Sequence, residues 1–276
     1  MDDLIEIGIP LASLISSIVA FTVSCILIYD WKKTRKQQRL EWGIGMLTYA
    51  MGHFIFFLMK VITEDTPLLV GNLCDYFPLF PGCPDVYILW LWIYINLGGA
   101  ITMALILKGI LPIFTNKSLY IYGIPIGFAL IYGIGSFLYG FVFDVIWNLP
   151  EDNIFELVML GQFFPGDLHQ DPSNIANMSW FIVECLIIVS FIIGFLFIMH
   201  YKELKKEGLK ARPSLLISIH FFGYTLLLFI WPFGSLEEIG PIFHLLFYSG
   251  RTIITTILAI GFIDLIRSTE EINNLS

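Results

Sequence analysis

Residues 5–42 read IEIGIPLASLISSIVAFTVSCILIYDWKKTRKQQRLEW, an apolar run over 5–29 followed by a basic cluster over 30–42. The run carries one charge, Glu6, and exceeds the roughly 20 residues needed to cross a bilayer core. Lipid offers the backbone no hydrogen bonds, so such a segment must close its own as a helix. It does not read as a cleaved leader. The flank Met1-Asp2-Asp3 is acidic, the apolar stretch is too long, and no small-x-small cleavage site follows.

The same alternation continues along the chain. Spans fall at about 5–29, 43–62, 86–110, 119–147, 179–201, 214–233 and 242–266. Of 276 residues, 57% are hydrophobic and 14% charged, with a mean hydropathy of +0.79. A soluble domain carries about 25% charged residues, so soluble classes are excluded. The expectation is an all-α, polytopic integral membrane seven-helix bundle forming a single transmembrane domain over 1–276. The formal net charge of −8 gives no reason to expect nucleic acid as a partner.

Basic residues set the orientation. Lys32, Lys33, Arg35, Lys36 and Arg39 precede span 2, and Lys202, Lys205, Lys206, Lys210 and Arg212 precede span 6. Lys108, Lys117 and Arg267 fall on the same side, whereas the segments 63–85, 148–178 and 234–241 carry no Lys or Arg. The positive-inside rule then places the N-terminus outside and the C-terminus in the cytoplasm of a multi-pass cell-membrane protein. Trp31 and Trp42 mark the inner boundary; Trp90, Trp92, Trp147, Trp180 and Trp231 mark the outer one. The outer segments are acidic, which keeps them solvated and would also concentrate cations.

Cys74 and Cys83 share the Pro-rich outer segment 72–84, and a disulfide closing it is expected there. Cys25 and Cys185 lie in spans and read as packed thiols. The triplet Asn177-Met178-Ser179 abuts span 5 and is read as a chance match to a glycosylation site. In the long outer loop 148–178, Asn153 with Glu156 three residues on resembles a helix start, so a short interfacial helix is expected. Span 4 contains Gly123-x-x-x-Gly127 and Ser136-x-x-x-Gly140, a packing face within the bundle or, alternatively, a homodimer seam. Spans 1–3 can be laid on spans 5–7, with Gly98 over Gly250 and Gly109 over Gly261, which outlines a 3+1+3 repeat.

Ionisable groups inside spans are costly, and that is where chemistry is sought. His244, Tyr248, Arg251 and Thr255 share one face of span 7; Tyr49, His53 and Lys60 form a similar stripe on span 2. Glu184 (span 5), Asn96 (span 3) and the pair His220 and Tyr224 (span 6) complete the set. Two readings stay open. In one, Glu184 and Arg251 form a buried ion pair that fixes packing. In the other, Lys60, Glu184, His244 and Arg251 contact a small ligand in an outer-half polar pocket floored by His53, Tyr248 and Asn96. No metal site is expected, because no two His lie three or four apart on one helix. No cofactor motif is present either. Span 7 lacks the Lys a retinal protein needs, and the Asp-Arg-Tyr and Asn-Pro-x-x-Tyr motifs of G-protein-coupled receptors are missing. The Pro-Gln signature of seven-span sugar facilitators is also absent.

The segments Trp42-Gly-Ile-Gly-Met-Leu-Thr-Tyr-Ala-Met-Gly-His53 and Tyr94-Ile-Asn-Leu-Gly-Gly-Ala-Ile-Thr-Met-Ala-Leu-Ile-Leu-Lys-Gly109 resemble uncharacterised prokaryotic multi-span proteins and the membrane halves of some sensor kinases. The resemblance covers spans 2 and 3 and implies a sensor. Only Ser268–Ser276 follow span 7, so any signal is expected to pass to a separate partner. The basic loops would meet anionic lipid or a cytoplasmic partner. The function expected is therefore a sensor or receptor of a small ligand. A small-solute transporter of 3+1+3 organisation is the alternative, and an intramembrane zinc hydrolase the third reading.

Overall fold

The computed structural model describes residues 2–61, 86–137, 174–230 and 240–275. Its helices are α1 (Asp2–Thr34), α2 (Gln37–Val61), α3 (Val86–Phe114), α4 (Ser118–Phe137), α5 (Asn174–Lys206), α6 (Arg212–Ile230) and α7 (Gly240–Leu275). All seven are long and apolar enough to cross a membrane. Cys74 and Cys83, and the helix start expected at Asn153, lie outside the described residues; Cys25 and Cys185 are not joined in a disulfide.

The basic segments are more helical than loops. Within 30–42 only Arg35 and Lys36 break the helix, and Arg35 turns the chain at φ 55°. Within 202–213 the break is residues 207–211, where Gly208 takes φ 72°. Charge alone cannot reveal this, because Lys and Arg are good helix formers and sit well at a helix C-terminus.

Each helix packs on its chain neighbours: α1 on α2, α2 on α3, α3 on α4, α4 on α5, α5 on α6 and α6 on α7, with α7 closing on α1. Large apolar side chains point outward, as Ile7, Leu11, Ile15 and Ile18 do on α1, while Ser13, Ser17, Ala20 and Ser24 are buried. Lipid is as apolar as leucine, so association relies on close packing and interhelical hydrogen bonds. Ser17 Oγ donates to Ala50 O at 2.8 Å, Ser24 Oγ to Gly43 O at 2.7 Å and Ser218 Oγ to Gly194 O at 2.9 Å.

Residues Asn96–Ile101 of α3 form a π-helical turn. Thr102 Oγ1 donates to Leu97 O at 2.7 Å and also reaches Gly45 O on α2 at 3.2 Å. Here α2 and α3 touch through backbone: a Cβ on Gly52 would lie 2.7 Å from Gly98 N and 2.9 Å from its Cα. Backbone cannot swing aside as a side chain tip can. Gly52→Ala is therefore expected to destabilise by about 1–3 kcal/mol, the usual cost of overpacking, measured by reversible unfolding in micelles.

On span 4 the expected packing face fails at Gly123-x-x-x-Gly127 alone, while Gly140 lies outside the described residues. Among the described residues Gly127 has nothing within 4 Å and Gly123 meets only Leu119 of its own helix, so this pair faces outward. The inward face lies one turn on, where Gly133 approaches Asn96 and Ser136 is fully buried.

At the end bearing the basic connections, ion pairs join the helices. Arg39 Nε lies 3.3 Å from Asp30 Oδ2, linking α2 to α1, with both side chains buried. Lys108 Nζ lies 3.1 Å from Glu41 Oε1 and Arg212 Nε 3.2 Å from Asp264 Oδ2. Arg39 Nη2 also donates to Leu265 O on α7 at 3.4 Å, and its guanidinium lies over the Trp42 ring, which stacks on Phe262 at 5.1 Å.

Candidate functional site

Helical period alone lines up the inner stripes: Trp42, Met46, Tyr49, His53 and Phe56 on α2; Tyr248, Arg251, Thr255, Leu258 and Phe262 on α7. Every one of these residues is buried. Where the stripes meet, Arg251 is 5% exposed. Its Nε donates to Tyr49 Oη at 3.1 Å and its Nη1 to Tyr94 Oη at 2.9 Å. The guanidinium also lies 5.3 Å from the Tyr49 ring centroid, 5.4 Å from that of Tyr224 and 5.9 Å from that of Phe247. One cation from α7 thus meets α2, α3 and α6. Among the described residues no carboxylate pairs with it, and the groups holding it are neutral hydroxyls and ring faces.

A second set of contacts surrounds this layer. Tyr49 Oη and Thr255 Oγ1 are 3.0 Å apart. His220 Nδ1 lies 2.8 Å from Ile254 O; a carbonyl can only accept, so Nδ1 carries a proton and donates it there. His220 is also parallel to the Tyr224 ring at 6.2 Å. His53 packs on Tyr49 at 4.3 Å and is held through Nδ1 by Ser13 Oγ at 2.9 Å. His53 Nε2 is buried without a hydrogen-bond partner. Ser13→Ala would leave Nδ1 unpaired as well, and is expected to cost about 1–2 kcal/mol in the same unfolding measurement.

Beside the layer is a cavity of about 20 Å³ lined by Tyr49, Thr102, His220, Tyr224 and Thr255, with Met46, Met103, Ile106 and Leu258 among its apolar walls. That is room for about one water. Met46 and Leu258 stand one turn above Trp42 and Phe262, so the stacked rings and the Arg39–Asp30 pair close the bundle below it.

The residues singled out from sequence fall into three groups. Arg251 and His53 lie at the layer, and Tyr248 stacks on Phe56 at 5.1 Å one turn away. Lys60 and Asn96 lie apart from it. Lys60 is exposed, with Nζ 5.8 Å from the Phe56 ring centroid. Asn96 faces α4, its Nδ2 donating to Trp92 O at 2.9 Å and to Ser136 Oγ at 3.2 Å. The backbones of Glu184 and His244 belong to α5 and α7, while their side chains lie outside what the structure describes. Tyr94 is the contact that sequence reading passed over. Its signal was its place eight residues before Thr102 on α3, weak beside the many aromatics in these spans.

Fold and site together define an all-α bundle of seven helices long and apolar enough to cross a membrane, with Arg251 buried where α2, α3, α6 and α7 meet. Compared with known proteins, the chain gives no significant match to a protein-family model, a curated protein or a solved structure.

Proposed function

We propose that this chain is a seven-helix sensor of the cell membrane that binds a small ligand at the Arg251 layer. The observation carrying the reading is that Arg251, buried on α7, is held by hydroxyls from α2 and α3 and by a ring from α6. Any molecule that competes for the guanidinium must change how α7 sits against three other helices. The same helix runs unbroken to Leu275 at the basic end, which gives a change at Arg251 a route out of the bundle. The N-terminus is outside and the basic end cytoplasmic, on the positive-inside argument. Lys32, Lys33, Lys36, Lys205 and Lys206 meet anionic lipid there.

Adjacency in chain order, with α7 against α1, favours a receptor-like ring over two three-helix units joined by α4. The zinc hydrolase has less to support it: among the described residues no three His, Cys, Asp or Glu side chains converge.

The test is a panel of small neutral, zwitterionic, anionic and cationic solutes offered to the full chain in nanodiscs. Saturable thermal stabilisation by at least one class, without solute counter-flow in reconstituted vesicles, is the expected result. Counter-flow would make the protein a transporter, and no response to any class would remove the ligand site.

A further inference from the structure

We infer that the occupant of the central site is a small monovalent anion, held by Arg251 next to the cavity. Anion binding presupposes that the Arg251 layer is the ligand site, and it goes further by fixing the charge of what binds.

A guanidinium has five N–H donors and no acceptor, and it stays charged in a protein. The described hydrogen bonds of Arg251 use Nε and Nη1, each once, which leaves three of its five N–H donors without a described partner. Phenol hydroxyls and ring faces lower the energy of the cation but carry no compensating charge. In a low-dielectric interior an uncompensated charge is expensive, and the cheapest remedy is a counter-charge at close range. Among the described residues the protein supplies none.

The neighbouring polar groups are also arranged for an anion. Tyr49 Oη accepts from Arg251 and can send its own proton to Thr255 Oγ1, 3.0 Å away, which frees the threonine proton for the cavity both residues line. The Tyr49 and Thr255 hydroxyls therefore link the cation to the cavity. The cavity of about 20 Å³ is water-sized, and a modest opening toward the guanidinium edge would admit a halide, nitrate or a small carboxylate.

The experiment uses the full chain in nanodiscs of zwitterionic lipid, so that no headgroup supplies the anion. Sodium chloride, nitrate and acetate are titrated against sodium gluconate at equal ionic strength, with acetamide and ethylammonium gluconate as neutral and cationic probes. Saturable stabilisation by the small anions in the wild type, lost in Arg251→Gln, is expected. Equilibrium binding of radiolabelled chloride, displaced by nitrate, gives the same answer on the wild type alone should that variant not fold. An equal response in Arg251→Gln, or wild-type chloride binding that does not saturate, would overturn the proposal. Stabilisation by acetamide or ethylammonium but not by anions would overturn the anion while keeping a ligand site. Silence from every probe would overturn both.

Discussion

Asp30→Asn is expected to lower the unfolding free energy by about 3–5 kcal/mol, because it takes the Asp30 carboxylate away from the buried Arg39 cation. The side chains of Asp30 and Arg39 are only 7% and 5% exposed, so solvent cannot take over the lost role. Arg39→Met should cost a similar amount by stranding the carboxylate. The double variant Asp30→Asn/Arg39→Met should recover much of the loss, since replacing both partners of a buried pair is often near neutral. Arg212→Gln supplies the contrast. Its pair with Asp264 is of similar length, but the arginine side chain is 73% exposed, and a change of about 0–1 kcal/mol is expected. Denaturant titration of the four variants in mixed micelles checks the set. Additive losses in the double variant would mean that the two residues act separately.

This pair also shows where sequence reading stops. The seven helices were legible because hydropathy and backbone hydrogen bonding in lipid leave one solution. Arg39 was legible only as one of thirteen cations outside the span interiors, a count that gives sidedness and nothing about partners. Its pairing with Asp30 depends on a two-residue turn at Arg35–Lys36 that folds the last turn of α1 onto the first of α2. No periodicity announces that turn. Arg251 stood out because a deep cation is rare. Its surroundings stood out only in part: Tyr49 and Tyr224 were marked on their own spans, whereas choosing Tyr94 from twelve tyrosines requires knowing which helices are neighbours. Asn96 illustrates the converse: a polar residue in a span draws attention, yet its amide is taken up by Trp92 and Ser136 on the α4 side.

The combined variant Tyr49→Phe/Tyr94→Phe is expected to destabilise by about 3–6 kcal/mol, since each hydrogen bond to a charged group contributes about 1.5–3 kcal/mol. Both ring faces stay in place, so the loss isolates the two hydroxyls that Arg251 Nε and Nη1 use. Adding Arg251→Met to that background should then recover at least half of the loss. The thioether needs no polar partner, and the cation whose burial the hydroxyls offset is gone. Further loss on adding Arg251→Met would mean instead that the ring contacts of Arg251 with Tyr224 and Phe247 still contribute net stability once the two hydroxyls are gone. Recovery would mean that the two hydroxyls are what offsets the burial of the Arg251 cation, as Asp30 does for Arg39. The cycle is read by unfolding in micelles under matched anion concentrations, because an anion bound at Arg251 stabilises only the forms that retain it.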